Sequence, residues 1–201
     1  GATVVDESGN VVWADENLVY DLDFSSWSNV RSSDSDSGET TPSGHISSKV
    51  IPDTSTNNHR IDEAAVAESA NVDVIVSIEA KADEYSGVGL SLHAASGSLT
   101  AFDLSDGTVG VENGGSGTIK DLGDGWYRCS VVVSARVSTR LYISVGSDGE
   151  TFSFTGDGSS GILIAKAQVS RGAVLHDFLD GDYTPRITHD KDGNALGYLH
   201  E

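Results

Sequence analysis

Residues 156–161, Gly156-Asp157-Gly158-Ser159-Ser160-Gly161, carry the GxGxxG spacing that cradles a dinucleotide pyrophosphate. That chemistry needs a strand before the glycines and a helix after them, so that the helix N-terminus can hold the phosphates. The glycines lead instead into Ile162-Leu163-Ile164-Ala165-Lys166-Ala167-Gln168-Val169, an alternating run rich in β-branched residues. Such a run is a strand. The glycines are therefore a turn between strands, and the nucleotide reading falls. No GxSxG nucleophile elbow and no HExxH zinc motif occurs. The six histidines are scattered, and three of them, His176, His189 and His200, lie near the C-terminus. Acidic residues are too numerous for a glycosidase pair to stand out. The chain reads as a non-enzyme. The stretch Asp190-Lys191-Asp192-Gly193-Asn194 has the start of a calcium loop. Leu199 stands at its closing position where an acid is required, so it is not an EF-hand.

The residue types that remain suit a polyhydroxyl ligand, which needs flat apolar faces beside planar hydrogen-bonding side chains. Strand parity nominates a set. With Tyr127, Cys129, Val131 and Val133 inward, Trp126, Arg128 and Ser130 point outward. By the same alternation Glu79 and Lys81 point outward, as do Ser91 and His93, and Tyr142 and Ser144. Lys166 and Gln168 alternate with Ala165, Ala167 and Val169. If these strands share one sheet, its outer face carries Trp126, Tyr142, Arg128, His93, Glu79, Lys166 and Gln168. The competing reading is structural: a bulge after Gly125 turns Trp126 into the core, where most tryptophans are largely buried. Trp27 reads as core or edge packing.

The elements that position these residues are short strands. The clearest half-buried strand runs through Val72, Val74, Val76, Ile78, Ala80 and Ala82. Val88, Leu90 and Leu92 continue the pattern after a turn. Residues 99–103 and 108–112 form a hairpin around Ser105-Asp106-Gly107, and 118–122 with 126–133 form another around Gly123-Asp124-Gly125. Strands at 141–145, 152–154 and 162–169 complete the set. This spacing predicts an all-β antiparallel sandwich or jelly roll. Residues 61–69 have helical composition, and 32–44, rich in Ser, Asp, Gly and Thr, read as a long loop. Asp6-Glu7-Ser8-Gly9-Asn10 and Asp190-Lys191-Asp192-Gly193-Asn194 echo each other as turns between strand-like pieces. They suggest short linking hairpins at 1–16 and 186–201 around a domain at 17–185.

Composition bounds the partners. The 201 residues hold 31 acidic and 12 basic side chains, a formal net charge of −19. Such a field repels nucleic acid and anionic membrane, and both are excluded as partners. No apolar stretch reaches the roughly 18 residues of a membrane span. Cys129 is the single cysteine, so no internal disulfide forms, and it reads as a small buried hydrophobe. A chain without methionine that starts at Gly1 reads as a processed product or a fragment.

Four segments in order resemble a known family. They are Asn17-Leu18-Val19-Tyr20-Asp21-Leu22-Asp23-Phe24-Ser25-Ser26-Trp27, Ala101-Phe102-Asp103-Leu104-Ser105-Asp106-Gly107-Thr108-Val109-Gly110, Asp121-Leu122-Gly123-Asp124-Gly125-Trp126-Tyr127-Arg128-Cys129-Ser130-Val131 and the stretch 155–169. Together they look like the carbohydrate-binding-module-like jelly rolls of bacteriophage virion proteins such as tail fibres. Those in turn resemble the xylan- and glucan-binding modules of secreted glycoside hydrolases. The resemblance implies a jelly-roll sandwich of the carbohydrate-binding-module or concanavalin-like kind. It implies a virion structural module displayed on the particle surface, among other virion proteins, as a homo-oligomer touching host-surface glycan. Two alternatives stand beside it: the carbohydrate-binding module of a secreted polysaccharide-degrading enzyme, and a ligand-free structural or oligomerising module. The resemblance also implies a structural calcium, with Asp21 and Asp23 as ligands. The chain departs from the family pattern where Ala165 replaces an aromatic and Ser170 and Arg171 replace acids.

Overall fold

Alternation of apolar and polar side chains dictates two stacked antiparallel sheets. The computed structural model describes residues 3–5, 11–13, 24–66, 72–92, 99–135, 139–171, 187–189 and 195–198. Its strands are β1 (Thr3–Val5), β2 (Val11–Trp13), β3 (Ser28–Val30), β4 (Ser32–Thr40), β5 (Ile46–Pro52) and β6 (Thr56–Val66). Next come β7 (Val72–Ala82), β8 (Gly87–Leu92), β9 (Thr100–Asp103), β10 (Thr108–Glu112), β11 (Ser116–Gly123) and β12 (Trp126–Ala135). The last are β13 (Thr139–Gly146), β14 (Ser153–Thr155), β15 (Ile162–Arg171), β16 (Ile187–His189) and β17 (Ala195–Tyr198). No helix occurs among the described residues. A seven-stranded sheet has the order β10-β9-β8-β13-β6-β14, with β3 also on β6. A six-stranded sheet has the order β11-β12-β7-β15-β5-β4. β1 pairs with β2, and β16 with β17, as separate two-stranded hairpins.

The inner faces of the two large sheets meet in one core. Val76, Ile78, Cys129, Val131 and Ile164 come from the six-stranded sheet, and Ile61, Leu90, Phe102, Leu141 and Ile143 from the other. Fully burying each such aliphatic side chain contributes about 1.5–3 kcal/mol. Burial also pushes the Cys129 thiol far up from its ordinary range, which makes it an inert core residue. Trp27 is buried and meets Phe24 edge to face, ring centroids 5.0 Å apart. Tyr127 packs against the core from the inner face of β12.

Three expectations are corrected. Residues 61–66 continue strand β6 and are not helical; residues 67–69 lie outside the described set. Ile61 pairs with Ile143 on one side and Asn29 on the other, and this non-local pairing overrides local composition. Residues 32–40 form edge strand β4, not a loop. Pairing with β5 supplies the backbone hydrogen bonds, and the polar composition suits an edge open to solvent. Finally, β15 does not alternate throughout. Ala165 pairs with Glu79 and Gln168 with Ser77, so one extra residue is accommodated as a bulge at Lys166, whose φ is 55°. The bulge moves Ala165 to the outer face and lets Ile162, Ile164, Ala167 and Val169 all face the core.

Candidate functional site

The residues expected on one face lie on two. Trp126, Arg128, Glu79, Lys166 and Gln168 belong to the outer face of the six-stranded sheet, while Tyr142 belongs to the outer face of the seven-stranded sheet, on the opposite side of the sandwich. β13 pairs with β6 and β8, and β12 pairs with β7, so the strands do not share a sheet. His93, Asp21 and Asp23 lie outside the described residues.

On the seven-stranded sheet, register builds a polar floor. Tyr142 sits directly between Asp62 of β6 and Ser91 of β8, and Ser144 between Arg60 and Gly89. Directly opposite side chains on one sheet face stand about 5 Å apart, close enough for one ligand to span them. Asp62, Ser91 and Ser144 are buried, and Tyr142 and Arg60 are partly exposed. Arg60 Nε donates to Asp62 Oδ1 at 2.7 Å, and its guanidinium carbon lies 4.6 Å from the centroid of the Tyr142 ring. The aromatic, the carboxylate and the guanidinium thus fix one another's positions.

A wall rises beside this floor because glycine clears space for it. A Cβ at Gly87 would stand 1.9 Å from the Asp148 carbonyl oxygen. One at Gly89 would meet Leu99 Cδ1 at 2.5 Å and Phe152 Cε1 at 2.9 Å. The segment 147–152 therefore lies directly on the sheet, with Phe152 and Leu99 over Gly89, the register partner of Ser144. Asp148 Oδ1 accepts from the Glu150 amide at 2.9 Å and the Thr151 amide at 2.7 Å, which shapes the turn. Those amides hold the Asp148 carboxyl below its ordinary range. Beyond the turn, fully buried His59 ties β14 in place. Its Nδ1 lies 2.7 Å from the Arg31 carbonyl oxygen and its Nε2 3.0 Å from that of Phe154.

The other outer face is charged and largely covered. Trp126 is only 1% exposed and packs on Leu163 and Ala165. It offers no open stacking surface. Its Nε1 donates to Glu39 Oε1 at 3.3 Å, and Lys81 binds the same carboxylate. The turn after β4 folds over this face, and Ser43 Oγ donates to Glu79 Oε2 at 3.0 Å. Lys166 Nζ stands 3.7 Å from Glu79 Oε1. Arg128 Nη2 reaches Ser77 Oγ and Gln168 Oε1, each at 3.4 Å.

Sequence reasoning missed Asp62 and Arg60, because their segment read as helical or fell outside the strands recognised. The alternation Asn57, His59, Ile61 against Asn58, Arg60, Asp62 was the available signal. Chemically, the Tyr142 floor can donate and accept hydrogen bonds around an aromatic ring. Among the described residues no three of His, Cys, Asp and Glu gather into a metal-binding group.

No family model matches the sequence, and no curated protein matches it. Solved structures do match in fold. A Clostridium thermocellum endo-1,4-β-D-xylanase, its family-22 carbohydrate-binding module and glycoside-hydrolase module complexed with xylohexaose, superposes with a TM-score of 0.50 at 14% identity. The match covers 83% of this chain and 30% of that one, so this chain spans under a third of the xylanase's length. The family-22 xylan-binding domain of a Paenibacillus barcinonensis xylanase matches at 11% identity and TM-score 0.44, over 81% of this chain and 95% of that one. A carbohydrate-binding module of a Cellvibrio mixtus lichenase, in complex with cellotriose, matches at 9% identity and TM-score 0.43, over 79% and 100%. The fold is thus the antiparallel jelly-roll sandwich of carbohydrate-binding modules.

Proposed function

We propose that this chain is a non-catalytic carbohydrate-binding module that takes a glycan on the outer face of its seven-stranded sheet. The observation that carries this reading is the row Asp62–Tyr142–Ser91, with Arg60 held over Tyr142 and the Phe152 wall alongside. Arg60 and Asp62 supply charge-assisted donors and acceptors, Ser91 and Ser144 supply hydroxyls, and Tyr142 and Phe152 supply apolar surface. Function resides in such a site and not in the fold, and many jelly rolls bind no sugar. The xylohexaose bound by the matched xylanase makes xylan the first ligand to try. The reading favours a binding module of a polysaccharide-degrading enzyme. The virion-surface reading, with virion partners and a homo-oligomer, is supported by the four-segment sequence resemblance alone; a structural calcium at Asp21 and Asp23 rests on the same ground.

Affinity electrophoresis through gels containing soluble xylan or mixed-linkage glucan tests the proposal. The intact chain is retarded, and Tyr142→Ala and Arg60→Ala are not, while both variants still unfold in a single cooperative transition above the assay temperature, that of Arg60→Ala being lowered. Equal mobility of the intact chain with and without every polysaccharide tried defeats it.

A further inference from the structure

The opposite face carries features that a neutral sugar on the Tyr142 floor does not use. Only 12 of the 201 residues are basic, against 31 acidic. Five of the 12 project from the outer face of the six-stranded sheet. The register places Lys49 beside Leu163, Leu163 beside Lys81, and Arg128 between Glu79 and Lys120. Lys166 joins them from the bulge beside Glu79. These five cations share the face with acids, among them Glu79, the register partner of Arg128, so charge there is mixed. Glu39 and Glu79 answer Lys81 and Lys166, and Asp83 and Glu84 answer Lys49. No acidic residue in a described strand stands directly opposite Lys120, whose register partner is Arg128.

The row next to Arg128 is neutral and rich in hydrogen-bonding groups. Gln168, Ser77, Ser130 and Thr118 lie side by side across four strands, with Ser170 one position beyond Gln168 on the same face. Gln168 and Ser170 are 1% and 0% exposed. Gln168 Nε2 and Ser170 Oγ have no hydrogen-bond partner among the described residues. Buried amide and hydroxyl donors without partners are rare and costly, and they call for a completing water, ion or ligand. Arg128 Nη2 reaches Ser77 Oγ and Gln168 Oε1 in this row, each at 3.4 Å. The backbone points the same way. Lys166 is held in the left-handed region, which a side-chain-bearing residue adopts at a cost, and the bulge there aims its ammonium at this face.

From these features we infer a second binding site, on the outer face of the six-stranded sheet, for a saccharide that bears a carboxylate: a uronate unit. Arg128 and Lys120 take the carboxylate, for which the guanidinium fork is the matching donor. Thr118, exposed at the end of the row, bonds a ring hydroxyl, and the buried Gln168 amide is reached once Arg128 turns from it to the carboxylate. The site is separate from the Tyr142 floor and does not rest on the reading given for it, because the two lie on opposite sides of the sandwich.

The test uses the full chain and two probes, trigalacturonate and its carboxyl-reduced neutral counterpart, in isothermal titration calorimetry at physiological salt. Trigalacturonate is expected to bind at least about tenfold more tightly than the neutral probe, the scale of one charge-assisted hydrogen bond. Arg128→Gln removes that preference, and Arg128→Lys recovers part of it. Tyr142→Ala leaves it in place. Gln168→Leu separates binding from structure, since it lowers trigalacturonate affinity while raising thermal stability by removing a buried donor that lacks a partner. Equal affinity for the two probes, or no binding of either, overturns the inference. So does an Arg128→Gln variant that binds like the parent, or loss of binding in Tyr142→Ala. Failure here with xylan still bound at Tyr142 leaves the first site standing.

Discussion

Substituting Arg60 by methionine tests how the Tyr142 floor is held together. Methionine keeps the aliphatic stem and deletes the guanidinium. Asp62 is buried, and Arg60 is exposed by about a quarter, 26% of its side chain. Breaking one side of a fully buried pair costs about 3–5 kcal/mol, whereas a fully exposed pair is worth about 0–1 kcal/mol. With one partner buried and the other screened by water, the loss falls near about 2 kcal/mol, between those limits. The guanidinium over Tyr142 adds about 0.5–1 kcal/mol. Arg60→Met therefore destabilises by about 2–3 kcal/mol. Asp62→Asn, which removes the stranded charge, costs about 1 kcal/mol alone, since Arg60 can turn to water. In the double variant the buried carboxylate is gone, so the combined cost falls below the sum by about 1–2 kcal/mol. Urea unfolding with constant m-values reads all three. The reasoning is refuted if Arg60→Met stays within about 0.5 kcal/mol of the parent, the usual scatter of an inconsequential surface change. Strict additivity of the two substitutions refutes it as well.

Gly87→Ala pushes a Cβ to 1.9 Å from a backbone oxygen of the 147–152 segment; it costs at least about 1–3 kcal/mol and, by shifting the Phe152 wall, weakens glycan binding. Denaturant titration and affinity electrophoresis check both effects, and an unchanged variant means the segment does not lie on the sheet. His59→Leu strips a partner from the carbonyl of half-buried Phe154; the Arg31 carbonyl keeps the Asp53 amide, so the expected loss is about 1 kcal/mol in the same assay. Asp157 accepts from the Ser160 hydroxyl and amide and the Ser159 amide, which hold its carboxyl well below its ordinary range. A depressed folded-state value stabilises above the unfolded carboxylate range, and the gain is lost as pH falls through the folded value. Asp157→Asn should thus melt lower than the parent at neutral pH, with the gap closing only in strong acid; a gap that ignores pH contradicts the assignment.

Outside the bulge in β15, which side chains point out of their strands was legible from alternation. Ser91 and Tyr142 do share a face, and Cys129, Val131 and Val133 do point into the core. Which strands lie side by side was not legible, because pairing is decided by contacts far apart in sequence. β7 stands next to β12 and β15, both far downstream in the chain, while β8, its neighbour in sequence, joins the other sheet. That single fact splits Tyr142 from Trp126. The bulge at Lys166 did leave a trace in the sequence. The apolar phase of β15 changes between Ile162 and Ile164 on one side and Ala167 and Val169 on the other. A strand cannot keep all four inward without one extra residue. β4 and the start of β6 were lost for a different reason. Polar edge strands and His- and Asp-bearing strands owe their form to their partners and not to their own propensity.

The central claim is that glycan binds across Asp62, Tyr142 and Ser91. Its most direct test is a titration of the isotopically labelled chain with xylohexaose, tracking backbone amide shifts. Saturable movement of the amides of Asp62, Ser91, Tyr142 and Ser144, with those of Arg128 and Gln168 unmoved, is the predicted result. Shifts confined to the six-stranded sheet, or none with xylohexaose or a mixed-linkage glucan oligomer, would contradict it.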